Sequence, residues 1–351
     1  MFNADETGLF YKCLPTRTHV LKGEKCQGSR SSKERVTLLL AANMDGSGKL
    51  PLLMIGKSKN PRCFRYVKSK PMQYEANAKA WMKSSIFRQW LLKTNSLMKS
   101  KRRHIILFID NCTAHNDIPE MSNVKVVFLP PNTTSALQPL DQGIIRNFKH
   151  YYRTEVVQHI LTAIEESKEK NTDPLEAMKI DVLQAMRMCR MAWATVAERT
   201  IANCFRKCGF VIGTIPHEHS VTQTVEEEPD NWQQFIQHFP TEFQDLPFSD
   251  FVNVDEELYT CGQQSDEEIV ASVMETEHND SNSEDEIDNE TAFNGILTKE
   301  DALSALNTVR QYLETKNEVP DDFFSSLVNI ERHINRNVVL SQRTLHDYVP
   351  K

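Results

Sequence analysis

The sequence contains no run of apolar residues long enough to span a bilayer, which takes roughly 20 residues. No apolar stretch near its start resembles a secretory signal. The eight cysteines are scattered without paired spacing. That argues against a disulfide framework and fits a reducing compartment in which most thiols are simply buried. These absences point to a soluble intracellular protein with no membrane partner.

Positive charge is scarce in the second part of the chain. Residues 211–351 carry 7 Lys and Arg against 30 Asp and Glu, a net of −23. Residues 1–210 carry 34 against 18, a net of +16, so the overall −7 conceals a split. A basic part favours a polyanionic substrate. The acidic part cannot share that role and reads as a solvated tail or a contact surface. With 351 residues there is room for one sizeable domain and one or two smaller units.

The periodicities give an order of elements. Glu34 to Lys57 reads as a hairpin whose strands flank Met44-Asp-Gly-Ser-Gly, where glycine supplies the positive φ of a tight turn. A helix is expected from about Asn77 to Asn95. The runs Ile105–Ile109 and Val124–Leu129 lack polar alternation, as central strands covered on both faces do. Further helices are expected over about Asp141–Glu165 and Pro174–Lys207. Strand, hairpin, helix, strand, short helix, strand, helix suits an α/β fold, a mixed sheet flanked by helices of ribonuclease H-like type.

Residues 1–210 then form the core. Residues 211–297 read as an acidic, largely disordered linker with interleaved aromatics such as Trp232, Phe235 and Phe248. Residues 298–336 read as a small helical hairpin, and 337–351 as a flexible tail.

Three aspartates carry the chemistry. Asp5 ends the opening run Met-Phe-Asn-Ala-Asp, Asp110 directly follows the apolar run Ile105–Ile109, and Asp141 follows Pro139-Leu140, 31 positions after Asp110. Each alone reads equally well as a turn residue or a helix cap. Together they are hard oxygen ligands suited to Mg²⁺ or Mn²⁺. Two such ions roughly 4 Å apart can hold the attacking and leaving oxygens of a phosphodiester. Mutual repulsion of the three predicts that Asp110→Asn leaves stability unchanged or raised.

The motifs around these residues resemble a known family. Phe2-Asn-Ala-Asp-Glu-Thr-Gly-Leu-Phe, Asp110-Asn-Cys-Thr-Ala-His and Leu129-Pro-Pro-Asn-Thr-Thr-Ser-Ala-Leu-Gln-Pro-Leu-Asp-Gln-Gly are similar to the catalytic blocks of pogo/Tigger-type DDE transposases. Ala202-Asn-Cys-Phe-Arg-Lys-Cys-Gly-Phe resembles that family's closing motif. The resemblance implies a metal-binding triad of Asp5, Asp110 and Asp141, Mg²⁺ or Mn²⁺ as cofactor, and DNA cleavage followed by strand transfer in the nucleus. It also leaves open a domesticated, catalytically idle protein that binds DNA or chromatin. Family members carry helix-turn-helix modules ahead of the first aspartate, and this sequence begins four residues before Asp5. Asn111 and His115 read either as contacts beside the metals or as structural caps.

Other features add candidate contacts. Arg146, Lys149 and Arg153 recur at helical spacing and, on an outer face, would track a phosphate backbone; a solvated helix face is the plainer alternative. The basic segment Lys12–Arg35 offers a second such surface. Gln342, Leu345 and Tyr348 in the tail resemble the peptide that docks on the DNA sliding clamp, with Val349 breaking its second aromatic position. Cys204, Cys208, His217 and His219 have an unusual spacing for zinc, and core packing accounts better for the two cysteines. The expected partners are thus DNA, the sliding clamp and a second copy of the chain.

Overall fold

A computed structural model describes residues 1–14, 34–131, 133–170, 178–210, 228–239, 245–256, 258–261, 299–316 and 319–336. They fall in two compact units, one of residues 1–65 and 70–263, the other of 66–69 and 264–351.

The first unit is built on a six-stranded sheet. Its strands are β1 (Phe2–Phe10), β2 (Arg35–Asn43), β3 (Leu53–Gly56), β4 (Gln73–Ala76), β5 (Ile105–Ile109) and β6 (Val124–Phe128). The spatial order is β4-β3-β2-β1-β5-β6. β1 pairs antiparallel with β2 along nine residues, from Phe2 opposite Asn43 to Phe10 opposite Arg35. β1 and β5 run parallel, as do β5 and β6. Two hairpin-joined strands beside a central β1, continued by parallel strands on its other side, give the ribonuclease H-like arrangement. β1 is buried along nearly all its length, including its polar residues Asn3, Asp5, Glu6 and Thr7.

The β2–β3 turn forms as expected, with Gly46 at φ +80. A Cβ there would meet the Glu198 backbone at 2.5 Å, so glycine serves both the turn and the close approach. Helix α1 (Ser84–Ser100) begins later than its pattern suggested. Asn77 ties off a turn through its side chain to Trp81 N and O, and Ala80 takes φ +52 while its carbonyl accepts from Thr37. From there α1 buries Ile86, Phe87, Trp90, Leu91 and Met98 on the sheet, each stabilising by on the order of 2 kcal/mol.

β6 differs from the expectation of a central strand: it is the sheet's edge, with Lys125 and Phe128 exposed. A short apolar run does not by itself separate a strand covered on both sides from an edge strand packed on one.

After β6 come a single turn α2 (Thr134–Leu137), a wide turn at Leu140–Ile144, and the long helix α3 (Ile145–Lys170). Gly143, at φ +131, breaks the chain direction between that turn and α3. The expected second long helix is two, α4 (Val182–Thr195) and α5 (Glu198–Lys207). A capping box between Asp181 and Gln184 starts α4, and its last carbonyls are held by Lys49, whose Nζ donates to Trp193 O at 2.7 Å and Val196 O at 2.5 Å. Phe148, Tyr152, Val156 and Ile160 of α3 form a buried layer with Met186, Cys189 and Trp193 of α4.

The acidic stretch holds two short helices, α6 (Trp232–Ile236) and α7 (Phe248–Asn253). Trp232, Phe235, Phe239, Phe248 and Phe251 are all buried, stacked on one another in the same compact unit as the sheet. These aromatics, expected within a largely disordered linker, are core residues instead. Acidic neighbours hid them because aromatic spacing in so short a helix has no clear period.

The second unit contains α8 (Lys299–Glu314) and α9 (Asp321–Arg336), paired through Arg310 and Glu331. No helix among the described residues is long and apolar enough to cross a membrane.

Candidate active site

Three elements aim carboxylates at one place. Asp5 sits mid-strand on β1, Asp110 directly follows β5, and Asp141 lies in the wide turn that precedes α3. The pairing of β1 with β5 at Phe2–Leu107 and Asn3–Phe108 sets the first two side by side. Asn3 then brings in the third: its Nδ2 donates to Phe108 O at 3.0 Å, and its Oδ1 accepts from Leu140 N at 3.0 Å. One buried amide thus joins β1, β5 and the turn that carries Asp141.

The electrostatics follow from this crowding. Asp5 is buried, and its carboxyl is pushed well above the usual range by that burial, then by the charges of Asp141, Glu6 and Asp110, against a hydrogen bond from Gln138. Asp141 sits at the mouth of the cleft, partly open to solvent. Desolvation of its carboxyl raises its pKa, opposed by a hydrogen bond with Asp5 and helped by the charge of Asp110. One proton shared between Asp5 and Asp141 is the natural state of two carboxyls so placed. Neither has a cationic partner among the described residues.

Asp110 has a different setting. Burial works against its charge, but a hydrogen bond and the positive charge of His115 hold its pKa below the usual range. His115 Nδ1 lies 2.8 Å from Asp110 Oδ1, and its Nε2 lies 3.0 Å from Glu6 Oε1. Burial disfavours the imidazolium, yet Glu6 and Asp110 outweigh it and push the pKa up to about 11. The ring also packs on Phe87, with centroids 4.1 Å apart. Glu6, Asp110 and His115 are close enough together to suit a metal ion. In the imidazolium form both ring nitrogens donate and these three form a hydrogen-bonded support for Asp110; a metal ion there would require the ring to give up a proton.

Of the flanking residues, Asn111 is structural: its Nδ2 donates to Leu129 O at 3.0 Å and ties the ends of β5 and β6. His115 does the supporting work just described. Glu6 and Gln138 were not singled out by sequence reasoning. Glu6 lies next to Asp5 but on the opposite face of the strand, and only the β1–β5 register reveals its partner.

A cleft of about 950 Å³ opens beside Asp141, lined by Glu6, Thr7, Arg146, Lys149, Asn203 and Lys207 among others. Its further wall comes from the acidic stretch, including Glu228, Asp255 and Glu256.

The outer-face placement of Arg146, Lys149 and Arg153 needs correction. Arg146 is exposed, but Lys149 is 7% exposed and Arg153 fully buried. Arg153 Nη2 lies 2.6 Å from Asp255 Oδ2, and its Nη1 donates to Phe10 O at 3.0 Å. Asp255 Oδ1 in turn accepts from Phe10 N at 2.7 Å. The helical period marks one face of α3, and that face turns inward at Lys149 and Arg153 because the acid that pairs with Arg153 lies 102 positions later.

Cys204 and Cys208 are buried, as core packing implies. Most of the basic segment, residues 15–33, lies outside the described residues. So do His217, His219 and the tail residues Gln342, Leu345 and Tyr348.

Comparison with known proteins adds a lineage. Residues 33–205 match the DDE superfamily endonuclease model, a span that takes in Asp110 and Asp141 but not Asp5. The chain is 32% identical over 342 residues to Tigger transposable element-derived protein 4 of Mus musculus, covering 95% of this chain and 64% of that protein. It is 28% identical over 354 residues to CENP-B homolog protein 2 of Schizosaccharomyces pombe, covering 97% and 66%. Major centromere autoantigen B of Homo sapiens is 31% identical over 211 residues, covering 60% and 33%. The chain therefore spans less than two thirds of the length of these relatives.

Proposed function

We propose that this chain, which belongs to the pogo/Tigger-type DDE transposase-derived family, holds divalent cations between Asp5, Asp110 and Asp141 and cleaves phosphodiester bonds of DNA there. The observation that carries the reading is the convergence of three carboxylates from β1, β5 and the turn before α3. Two of them share a hydrogen bond and lack any cationic partner among the described residues. Such a group is costly unless a proton or a metal ion neutralises it. Hard carboxylate oxygens fit Mg²⁺ or Mn²⁺.

When bound, such ions would activate water and offset charge on the scissile phosphate. The protein's own part is positional. Asn3 and Gln138 hold Asp141 and Asp5 in place, and Glu6, through His115, fixes one oxygen of Asp110. Bound cations would take the place of the proton that Asp5 and Asp141 share.

A second reading is a DNA- or chromatin-associated protein whose pocket is idle. The exposed acids Glu228 and Glu256 in the wall near Asp141 favour it, because those carboxylates would repel a phosphate backbone entering the cleft. Both readings place the protein in the nucleus, in keeping with the centromere autoantigen among the relatives.

The test is nicking of generic duplex DNA by the purified chain in Mn²⁺ and in EDTA, beside Asp141→Asn. Nicking that needs Mn²⁺ and falls at least a hundredfold in the variant supports the endonuclease. No nicking under any metal condition, with DNA binding intact, favours the idle protein.

A further inference from the structure

Between Glu75 and Asp110 the chain runs 34 residues with no acidic side chain and with eight Lys and Arg. Two of those cations are committed: Arg88 pairs with Asp117, and Lys93 with Glu75. At the end of α1, by contrast, Lys99, Lys101, Arg102, Arg103 and His104 are all exposed.

The backbone there is a closed cap. Lys101 N donates to Leu97 O at 3.1 Å, Arg102 N to Lys99 O at 3.0 Å, and Arg103 N to Met98 O at 2.9 Å. Asn123 Nδ2 pins the following carbonyl, that of Arg103, at 2.9 Å. In this kind of helix end the left-handed residue is usually glycine, which adopts that backbone without steric cost. Here Arg102 occupies it at φ +51. A guanidinium thus stands at the tip of the turn, in a place where its own backbone is strained. Arg103 lies beside it, its guanidinium 6.0 Å from the Phe2 ring centroid.

This turn precedes β5, and Asp110 follows β5. Six residues of extended chain at about 3.3 Å each separate the two by roughly 20 Å. A phosphate group held at Asp110 is therefore out of reach of the turn.

We propose that Lys99, Lys101, Arg102 and Arg103 form a second contact surface for the DNA phosphate backbone, at the end of β5 opposite the catalytic carboxylates. Four exposed cations on a hydrogen-bonded helix end attract a row of phosphates, and the backbone that carries them is already ordered. An acidic protein groove that takes basic peptides in extended form would have to unwind the cap first. From the endonuclease reading the proposal takes only the identity of the polyanion.

The experiment is titration of the full chain, as Asp110→Asn and in EDTA, against labelled duplex DNA of mixed sequence over a range of salt. Because it needs no metal and no cleavage, a failed nicking assay leaves it intact. Lys99→Gln/Lys101→Gln/Arg102→Gly should bind about tenfold or more weakly. Its plot of log affinity against log salt should be shallower by about 2–3, at roughly 0.9 for each phosphate that the variant no longer neutralises. Arg102→Gly alone guards against misfolding: it should weaken DNA binding while its melting temperature holds or rises, since glycine suits the left-handed position. Unchanged affinity and slope in the triple variant would overturn the proposal. So would a variant that keeps DNA binding and loses binding to polyglutamate, which would mark a surface for acidic proteins.

Discussion

Asp110 and His115 form a hydrogen-bonded pair, Oδ1 to Nδ1 at 2.8 Å, with the imidazole ring wholly buried. This pairing sets Asp110 apart from the other two aspartates, which crowd each other without a cation among the described residues.

The three aspartates should therefore respond differently to neutralisation. Asp5→Asn relieves a buried carboxyl whose ionisation is disfavoured, and should leave stability unchanged or raise it. Asp110→Asn removes the charge that the His115 imidazolium answers, and should cost about 1–3 kcal/mol. Simple repulsion among the three, as the sequence suggests, predicts a neutral or stabilising Asp110→Asn instead. Urea denaturation of both variants at pH 7 in EDTA decides between pairing and repulsion. Equal stabilisation by both would mean that His115 does not stabilise the Asp110 carboxylate.

The same pair gives stability a pH dependence. The folded pKa of His115, about 11, lies above its ordinary value of 6.5. The stabilisation is therefore complete below pH 6.5 and is lost progressively as the pH rises toward 11. Stability measured from pH 6 to pH 10 should fall for the wild type. His115→Gln, with no group to titrate there, should start lower and show a flatter profile. Parallel profiles would mean that His115 is neutral in the folded protein.

The buried pair Arg153–Asp255 should weigh heavily in the fold. Asp255→Ala leaves a fully buried guanidinium without its carboxylate and should cost about 3–5 kcal/mol. Replacing both, as Arg153→Met/Asp255→Leu, should recover much of that loss. Chemical denaturation of the single and double variants provides the check. A loss below about 1 kcal/mol for Asp255→Ala would indicate that the 245–261 segment contributes little to the first unit.

Much of this architecture could be read in the residues. The opening segment and the apolar run Ile105–Ile109 are strands, and their parallel pairing sets Asp5 beside Asp110. What escaped depends on pairing between distant segments. Glu6 reaches His115 only because β1 and β5 run parallel in one particular register. Lys149 and Arg153 have a helical period that marks a face but not the direction it points, and Asp255 turns it inward. Trp232 and Phe248 pack on α3 within an acidic stretch whose composition suggested solvent. Helix α1 starts at Ser84 because Asn77 closes a turn before it, a local hydrogen bond that outweighs the apolar pattern.

The central claim is that Asp5, Asp110 and Asp141 together hold divalent cations, and Mn²⁺ binding tests it most directly. Titration of the metal-free chain, followed by the electron paramagnetic resonance of free Mn²⁺, should show saturable uptake at pH 7.5. Uptake should weaken toward lower pH as Asp5 and Asp141 regain their proton. Asp5→Asn and Asp141→Asn should each weaken it at least tenfold while keeping the fold. Uptake that is undiminished in both variants, or absent from the wild type, would contradict a metal site at these three aspartates.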